Sequence, residues 1–308
     1  MKPDRPAGIL LALAVAVAGT TIVAGKALPI KPALAAKPTA ALAPEVDDDT
    51  KAYARFRDLP VEDALIAQSG RIAAAFAALP AHGPAPETFV LAVGGSGFQE
   101  IFDREARKAA QTLTARTGGP SVVLSNTPGQ VESGLLASPA TVALATAAIG
   151  RRAQPQDLLI VYLSSHGGDD ARIQMDAPRL DFAPLSASAL ARDLARAGLK
   201  RRIVIVSACY GATWIKPLAS PSTILITAAA VDRTSFGCDD SRALTVFGKA
   251  IIGELAKPDQ SLAQAFARAK LRIAAEERSE RATPSLPQAW VGRDMVALWS
   301  KPWPPKAG

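Results

Sequence analysis

The sequence predicts an α/β fold, a mostly parallel sheet with helices on both faces, on two observations. Short apolar runs typical of buried strands alternate with longer segments whose apolar residues recur at helical spacing, from residue 88 to residue 280. Regular alternation of this kind implies parallel strands joined by helical crossovers. With 308 residues, 49% of them hydrophobic, the chain can also bury a substantial core.

One helix is predicted ahead of the sheet. Apolar residues from 61 to 79 recur at helical spacing, and the segment 80–84, with a proline at each end, breaks the helix in a turn. His82 lies in that turn. We therefore expect His82 to be a solvated loop residue rather than a catalytic one.

Five strands and five helices follow. Strands are predicted for the short apolar runs 88–93, 121–124, 157–164, 202–207 and 222–227. Helices are predicted from apolar periodicity at 103–117, 141–152, 187–197, 241–256 and 261–280, and Gly198 closes the third of them. The glycine-rich segment 94–97 completes no phosphate-binding pattern, so it is interpreted as a tight strand-to-helix turn. Residues 61–300 are thus expected to form one domain.

The N-terminus has the pattern of an export signal. Lys2 and Arg5 precede the uncharged apolar stretch 8–25, and a small-residue cleavage pattern follows at 33–35. This stretch of 18 residues is at the lower limit for crossing a bilayer, so residues 1–35 are either a removed signal peptide or an N-terminal membrane anchor. The positive flank places the body outside the cytoplasm, in the periplasm or tethered to the inner membrane.

Composition indicates what the remaining segments are and which binding partners are not expected. Residues 36–60 are predicted to be a linker, and residues 301–308, with three prolines, a flexible tail. The net charge is +7, of which residues 1–35 account for +3. No basic block remains in the body, so nucleic-acid binding is not expected. The two cysteines and two histidines lack paired ligand spacing, so no structural zinc site is expected, and catalysis by a cysteine thiol would need neither a metal nor a cofactor.

Two predicted strands each end in a rare, reactive side chain. The apolar run 158–163 leads into Ser164-Ser165-His166-Gly167, and the run 203–206 leads into Ser207-Ala208-Cys209. If these strands are parallel neighbours, His166 and Cys209 emerge at the same carboxyl edge, where open α/β sheets place their sites. The 43 residues between them suffice for a loop, a crossover helix and a return strand. This pattern predicts a cysteine nucleophile with a histidine acid/base.

The surroundings of this pair suggest further roles and leave two questions open. The backbone N–H groups of Gly167 and Cys209 are the candidate oxyanion hole, since a glycine lets a substrate carbonyl approach the chain closely. Asp169 and Asp170 either orient the histidine or are solvated loop acids. Cys238 either packs beside the site or forms a disulfide with Cys209, although catalysis requires a free Cys209 thiol.

Three segments, taken in order, resemble the legumain-type cysteine peptidases, particularly their bacterial members. They are Ser165-His166-Gly167, Ser207-Ala208-Cys209 and the loop 232–238, and the resemblance extends over about residues 61–287. It implies a caspase-like three-layer sandwich, a dyad of Cys209 and His166, and an oxyanion hole from Gly167 and Cys209. By the same resemblance, Arg104 and Ser235 line the primary specificity pocket.

The sequence departs from the family pattern at two places. Cys209-Tyr210-Gly211-Ala212 differs from the Cys-x-Ser-Gly ending common in the family, after the nucleophile. Lys249 stands nearest to the position of an acidic residue that helps legumain to recognise asparagine, and Asp239 or Asp240 is the alternative source of that charge. The resemblance therefore implies the reaction more firmly than the residue at which the substrate is cut.

These observations predict a cysteine endopeptidase that hydrolyses peptide bonds through an acyl-enzyme and takes peptide or protein substrates. Two alternatives stay open. A transamidase or ligase would pass the same acyl group to an amine instead of water. A catalytically silent binding module, tethered to the membrane through residues 8–25, would use the fold to hold partners without cutting them.

Overall fold

The computed structural model describes residues 48–303. Its helices are α1 (Asp48–Phe56), α2 (Val61–Ala77), α3 (Ile101–Thr117), α4 (Pro128–Ser133), α5 (Pro139–Arg152), α6 (Ala187–Arg196), α7 (Ile215–Leu218), α8 (Val246–Leu255), α9 (Leu262–Ser279) and α10 (Val296–Ser300). Its strands are β1 (Thr88–Gly94), β2 (Ser121–Ser125), β3 (Leu158–Ser164), β4 (Arg172–Ile173), β5 (Asp176–Ala177), β6 (Leu180–Asp181), β7 (Leu185–Ser186), β8 (Arg202–Ser207), β9 (Thr223–Thr227) and β10 (Gln288–Val291).

The five predicted strands form one sheet, as expected. Its order is β10-β9-β8-β3-β1-β2, with every neighbouring pair parallel except β9 and β10. The sequence interpretation missed β10 and the short strands β4 to β7, which form two small antiparallel pairs between β3 and α6. Strands β4 to β7 have two residues each, too few for alternation to be recognised in the sequence.

The sheet is the middle of three layers. Side chains alternate along each strand, so Leu159 and Val161 of β3 face a core shared with α2, α5 and α6. Ile160 and Tyr162 face the opposite core, which is shared with α3, α8 and α9. The predicted α/β class, a mostly parallel sheet with helices on both faces, is confirmed.

Several helix ends form as their local sequence predicts. Ser138 and Thr141 make a capping box at the start of α5, and Ser261 and Gln264 make another at the start of α9. Gly198 follows α6 in a left-handed conformation, with φ of 71°, which confirms the closing glycine. These ends fix where the chain turns back towards the sheet.

The described part of the chain begins and ends beyond the predicted domain bounds. Within the predicted linker 36–60, residues 48–56 instead form α1, because Ala52 and Phe56 lie one turn apart and are both fully buried. Within the predicted tail, the Trp303 ring is buried under the Arg116 guanidinium. Composition indicated a linker and a tail here, but single apolar side chains anchor both segments.

The predicted leader, residues 1–35, lies outside the described residues, as do residues 36–47 of the linker and 304–308 of the tail. The signal-peptide and anchor hypotheses for residues 8–25 therefore stay predictions. In the range 48–303, no helix is both long enough and apolar enough to cross a membrane.

Candidate active site

The two strands that deliver the reactive residues are parallel neighbours in register. Ser164, at the end of β3, is paired with Ser207, at the end of β8. His166 and Cys209 each lie two residues beyond this pair, so both emerge at the same carboxyl edge, and both are half-buried. The two chains also stay close beyond the strands, since a Cβ atom on Gly167 would overlap the carbonyl oxygen of Cys209.

The His166 ring is held on two sides. Its Nε2 atom lies 2.9 Å from Oε1 of Gln99, and the Phe102 ring packs edge-on against it at 4.8 Å between centroids. With Oε1 as the acceptor, Nε2 is the donor, so Nδ1 of the neutral ring remains as the basic nitrogen. Burial lowers the pKa of His166 below its ordinary 6.5, and the negative charge of Asp176 opposes this shift. The imidazole is therefore neutral at neutral pH.

Gln99 is placed by the glycine-rich turn after β1. A Cβ atom on Gly95 would overlap the Gln174 carbonyl, and one on Gly97 would overlap the Asn126 carbonyl. The backbone can approach these carbonyls so closely because both residues lack side chains. This confirms the interpretation of residues 94–97 as a tight strand-to-helix turn and shows its consequence, which is that Gln99 reaches His166.

The Cys209 thiol lies against the loop that follows β9. The Ser235 N–H donates to Sγ at 3.3 Å, and Sγ lies 3.7 Å from the Ser235 carbonyl oxygen. The next residue, Tyr210, has a left-handed conformation with φ of 55°, and its N–H donates to the Arg233 carbonyl at 2.7 Å. The loop 232–238 is therefore at the carboxyl edge of the sheet, where the sequence predicts it.

The backbone N–H groups of Gly167 and Cys209 donate to no other group in residues 48–303. Gly167 pairs with Ile173 as an isolated antiparallel bridge, but the hydrogen bonds of that bridge join Gly168 to Arg172 and Gln174 to His166. Both N–H groups are thus available to an oxyanion, as the candidate oxyanion hole requires.

Arg104 and Asp240 bind each other beside the site. The Arg104 guanidinium donates to Oδ1 of Asp240 at 3.1 Å and to the Arg242 carbonyl at 2.8 Å. The two carboxylate oxygens of Asp240 also accept the Glu100 and Ile101 N–H groups at 3.1 and 2.9 Å. Asp240 therefore caps the start of α3 and joins it to the loop after β9.

The remaining candidates from the sequence are arranged as follows. Cys209 and Cys238 are free thiols, so the disulfide alternative is wrong, and burial with the nearby Cys209 raises the pKa of Cys238. Asp169 and Asp170 are exposed, and Asp170 forms an ion pair with Arg172 at 3.4 Å. This arrangement favours the interpretation of both acids as solvated loop residues.

His82 does not fit the expectation of a solvated residue. Its side chain is 11% exposed, and Nε2 lies 2.6 Å from Oδ2 of Asp157. That hydrogen bond is the main cause that raises the pKa of His82. Because His82 precedes β1 and Asp157 precedes β3, the pair lies at the amino edge of the sheet, opposite His166 and Cys209.

The described chain thus has a three-layer α/β fold with a cysteine and a histidine just beyond adjacent strand ends. The model of the Peptidase C13 family matches residues 145–297, a segment that contains both His166 and Cys209. This match covers just under half of the chain; it supports the legumain family of cysteine peptidases and indicates a cysteine-type peptidase, a hydrolase. No curated protein matches the chain.

Proposed function

We propose that the protein is a cysteine endopeptidase in which Cys209 is the nucleophile and His166 the general acid and base. The observation that supports this most strongly is the register of β3 with β8. Ser164 pairs with Ser207, so the imidazole and the thiol follow adjacent strand ends at equal offsets. The neutral imidazole and the two available N–H groups of Gly167 and Cys209 supply the other groups that acyl transfer needs.

In the proposed cycle, Cys209 Sγ attacks the carbonyl carbon of the scissile peptide bond while its proton passes to Nδ1 of His166. The negative charge that develops on the carbonyl oxygen is bound by the N–H groups of Gly167 and Cys209. The C–N bond then breaks, and the His166 imidazolium gives its proton to the leaving amine. Water, deprotonated by His166, attacks the thioester and releases the acid and the Cys209 thiol.

Substrate side chains would bind beside the loop 232–238, where Ser235 adjoins the nucleophile. Arg104 would support this pocket from the segment just after the loop, because its guanidinium is bound to Asp240 and to the Arg242 carbonyl. Asp240 is engaged in the same contacts and in capping α3, which argues against it as the residue that reads an asparagine side chain.

Gln99 would hold the His166 ring so that Nδ1 faces the thiol. We expect Gln99→Leu to lower kcat about 10-fold with little change in KM, because the ring would keep its contact with Phe102 but lose the acceptor that fixes its tautomer. Steady-state kinetics on a peptide substrate measures this. Gln111→Leu, an exposed position on α3, is the matched control and should be neutral. An unchanged kcat for Gln99→Leu would show that the amide does not orient the ring.

The endopeptidase and its two alternatives differ in what happens to the acyl-enzyme. We expect the purified protein to cut members of a peptide library to free acids, as seen by mass spectrometry, and Cys209→Ala to cut none. An added amine that appears in the product would instead favour a transamidase or ligase. A folded protein that neither cuts peptides nor reacts at Cys209 with a thiol-directed peptide probe would be a binding module.

A further inference from the structure

We propose that Glu105, a buried carboxylate on α3, is a positioning residue that fixes the ends of β3 and β8 and thereby the distance between His166 and Cys209. The inference rests on the proposed function, since it takes these two residues as the dyad. Glu105 adds a support that lies under the site and touches neither reacting group.

Glu105 binds three protein donors and is fully buried. Its Oε1 atom accepts the Tyr162 hydroxyl at 2.9 Å and the Ser164 hydroxyl at 3.0 Å. Its Oε2 atom accepts the Thr245 N–H at 3.0 Å. The Glu105 carboxylate thus joins three elements: α3, the end of β3 and the segment that begins α8.

The same contacts extend to the strand that bears the nucleophile. The Ser207 and Thr245 hydroxyl oxygens lie 3.3 Å apart, within hydrogen-bond distance. Ser207 is the last residue of β8 and pairs with Ser164 across the sheet. A continuous set of hydrogen bonds therefore connects Ser164, Glu105, Thr245 and Ser207, two residues before His166 on one strand and two residues before Cys209 on the other.

The start of α8 is shaped around this carboxylate. The Thr245 hydroxyl accepts the Gly248 N–H at 2.9 Å and so caps the helix. A Cβ atom on Gly248 would overlap both carboxylate oxygens of Glu105. The glycine lets the first turn of α8 close over Glu105, which excludes water from the network.

A buried carboxylate resists displacement because its donors cannot be replaced by water. Leaving a buried polar group without a hydrogen-bond partner destabilises the protein, and more so if the group is charged. Burial and the adjacent Glu105 hold the pKa of Tyr162 well above its ordinary value, so the phenol stays a donor. The geometry at the strand ends is therefore stiff, as a dyad that must meet a substrate within about 0.5 Å requires.

Glu105 reaches the dyad through these bonds rather than through its charge. The carboxylate whose charge acts on the pKa of His166 is that of Asp176, on β5. Changes at Glu105 should therefore alter the rate of the chemical step and leave the pH dependence of kcat/KM in place.

Two nearly isosteric variants test the role, Glu105→Gln and Tyr162→Phe. We expect each to lower kcat about 10- to 100-fold, because small misplacements of reacting groups have effects of this size. KM and the pH limbs of kcat/KM should change little. Glu254→Gln is the matched control, because Glu254 is also fully buried but bonds Lys257 at the far end of α8. It should reduce the thermal midpoint without reducing kcat.

Cys209→Ala, measured beside these variants, separates failure of the inference from failure of the proposed function. Wild-type kcat in Tyr162→Phe, with Cys209→Ala inactive, overturns the positioning role alone. If Glu105→Gln does not fold, Tyr162→Phe still tests the positioning role, because this variant removes only one hydroxyl from the network. An equal loss of kcat in Glu254→Gln would also overturn the role, since any buried carboxylate would then have the same effect. Activity that persists in Cys209→Ala overturns the dyad itself.

Discussion

Cys209→Ala and His166→Ala are each expected to reduce kcat by about 10⁴-fold or more, the scale seen when a nucleophile or its base is removed. Alanine at 209 leaves no atom to form the acyl-enzyme. Alanine at 166 leaves the thiol without a proton acceptor and the leaving amine without a donor. Both side chains are half-buried at the strand ends, outside the main cores, so the thermal midpoint should stay near that of the wild type.

Cys238→Ala is the comparison for this pair, because it removes the other half-buried thiol near the site but not the nucleophile, and it should keep the turnover that Cys209→Ala loses. Full activity in either Cys209→Ala or His166→Ala would refute the dyad. The pH profile of the wild type gives a second check. Because burial lowers the pKa of His166, the imidazole remains unprotonated, and able to act as a base, at lower pH than an ordinary histidine. The acidic limb of kcat/KM should therefore lie below pH 6.5.

The five parallel strands of the sheet and the pair of residues at its edge could be predicted from the sequence, whereas the antiparallel edge strand β10 could not. A buried parallel strand is a continuous apolar run, and the residues directly after it must emerge at the carboxyl edge. His166 and Cys209 follow such runs, so their edge was predictable before their register was known. The observed pairing of Ser164 with Ser207 adds that His166 and Cys209 each follow the paired strand ends by the same number of residues.

The supports of the site could not be predicted in the same way. Gln99 contacts His166 across 67 positions of sequence, and Glu105 contacts Thr245 across 140. Gln99 depends on the path of the turn after β1 and Glu105 on how α3 lies against the sheet, and nothing in the local pattern marks either residue. The contact of His82 with Asp157 was missed for a different reason, which is that a histidine between prolines is typical of an exposed turn.

Gly167→Ala should have the largest effect of any substitution outside the dyad. A Cβ atom at this position would overlap the Cys209 carbonyl oxygen and lie 3.0 Å from the Ala208 Cβ. Both neighbours belong to the chain after β8, so they can yield only if the two strand ends separate. The N–H groups of Gly167 and Cys209 would then move apart, whereas the proposed oxyanion hole requires both to reach one oxygen. We expect kcat to fall by about 10²- to 10³-fold, the cost of losing one such donor.

Gly168→Ala is the matched control for this substitution, one residue along. A Cβ atom there would lie 2.8 Å from Oδ1 of Asp170, an exposed side chain that can rotate away, so both activity and the thermal midpoint should stay close to the wild type. If Gly167→Ala raises KM while kcat persists, position 167 limits substrate entry and the oxyanion hole lies elsewhere. If the Gly167 N–H acts only in the transition state, the substitution should lower kcat and leave KM unchanged, because substrate binding would not depend on that N–H group.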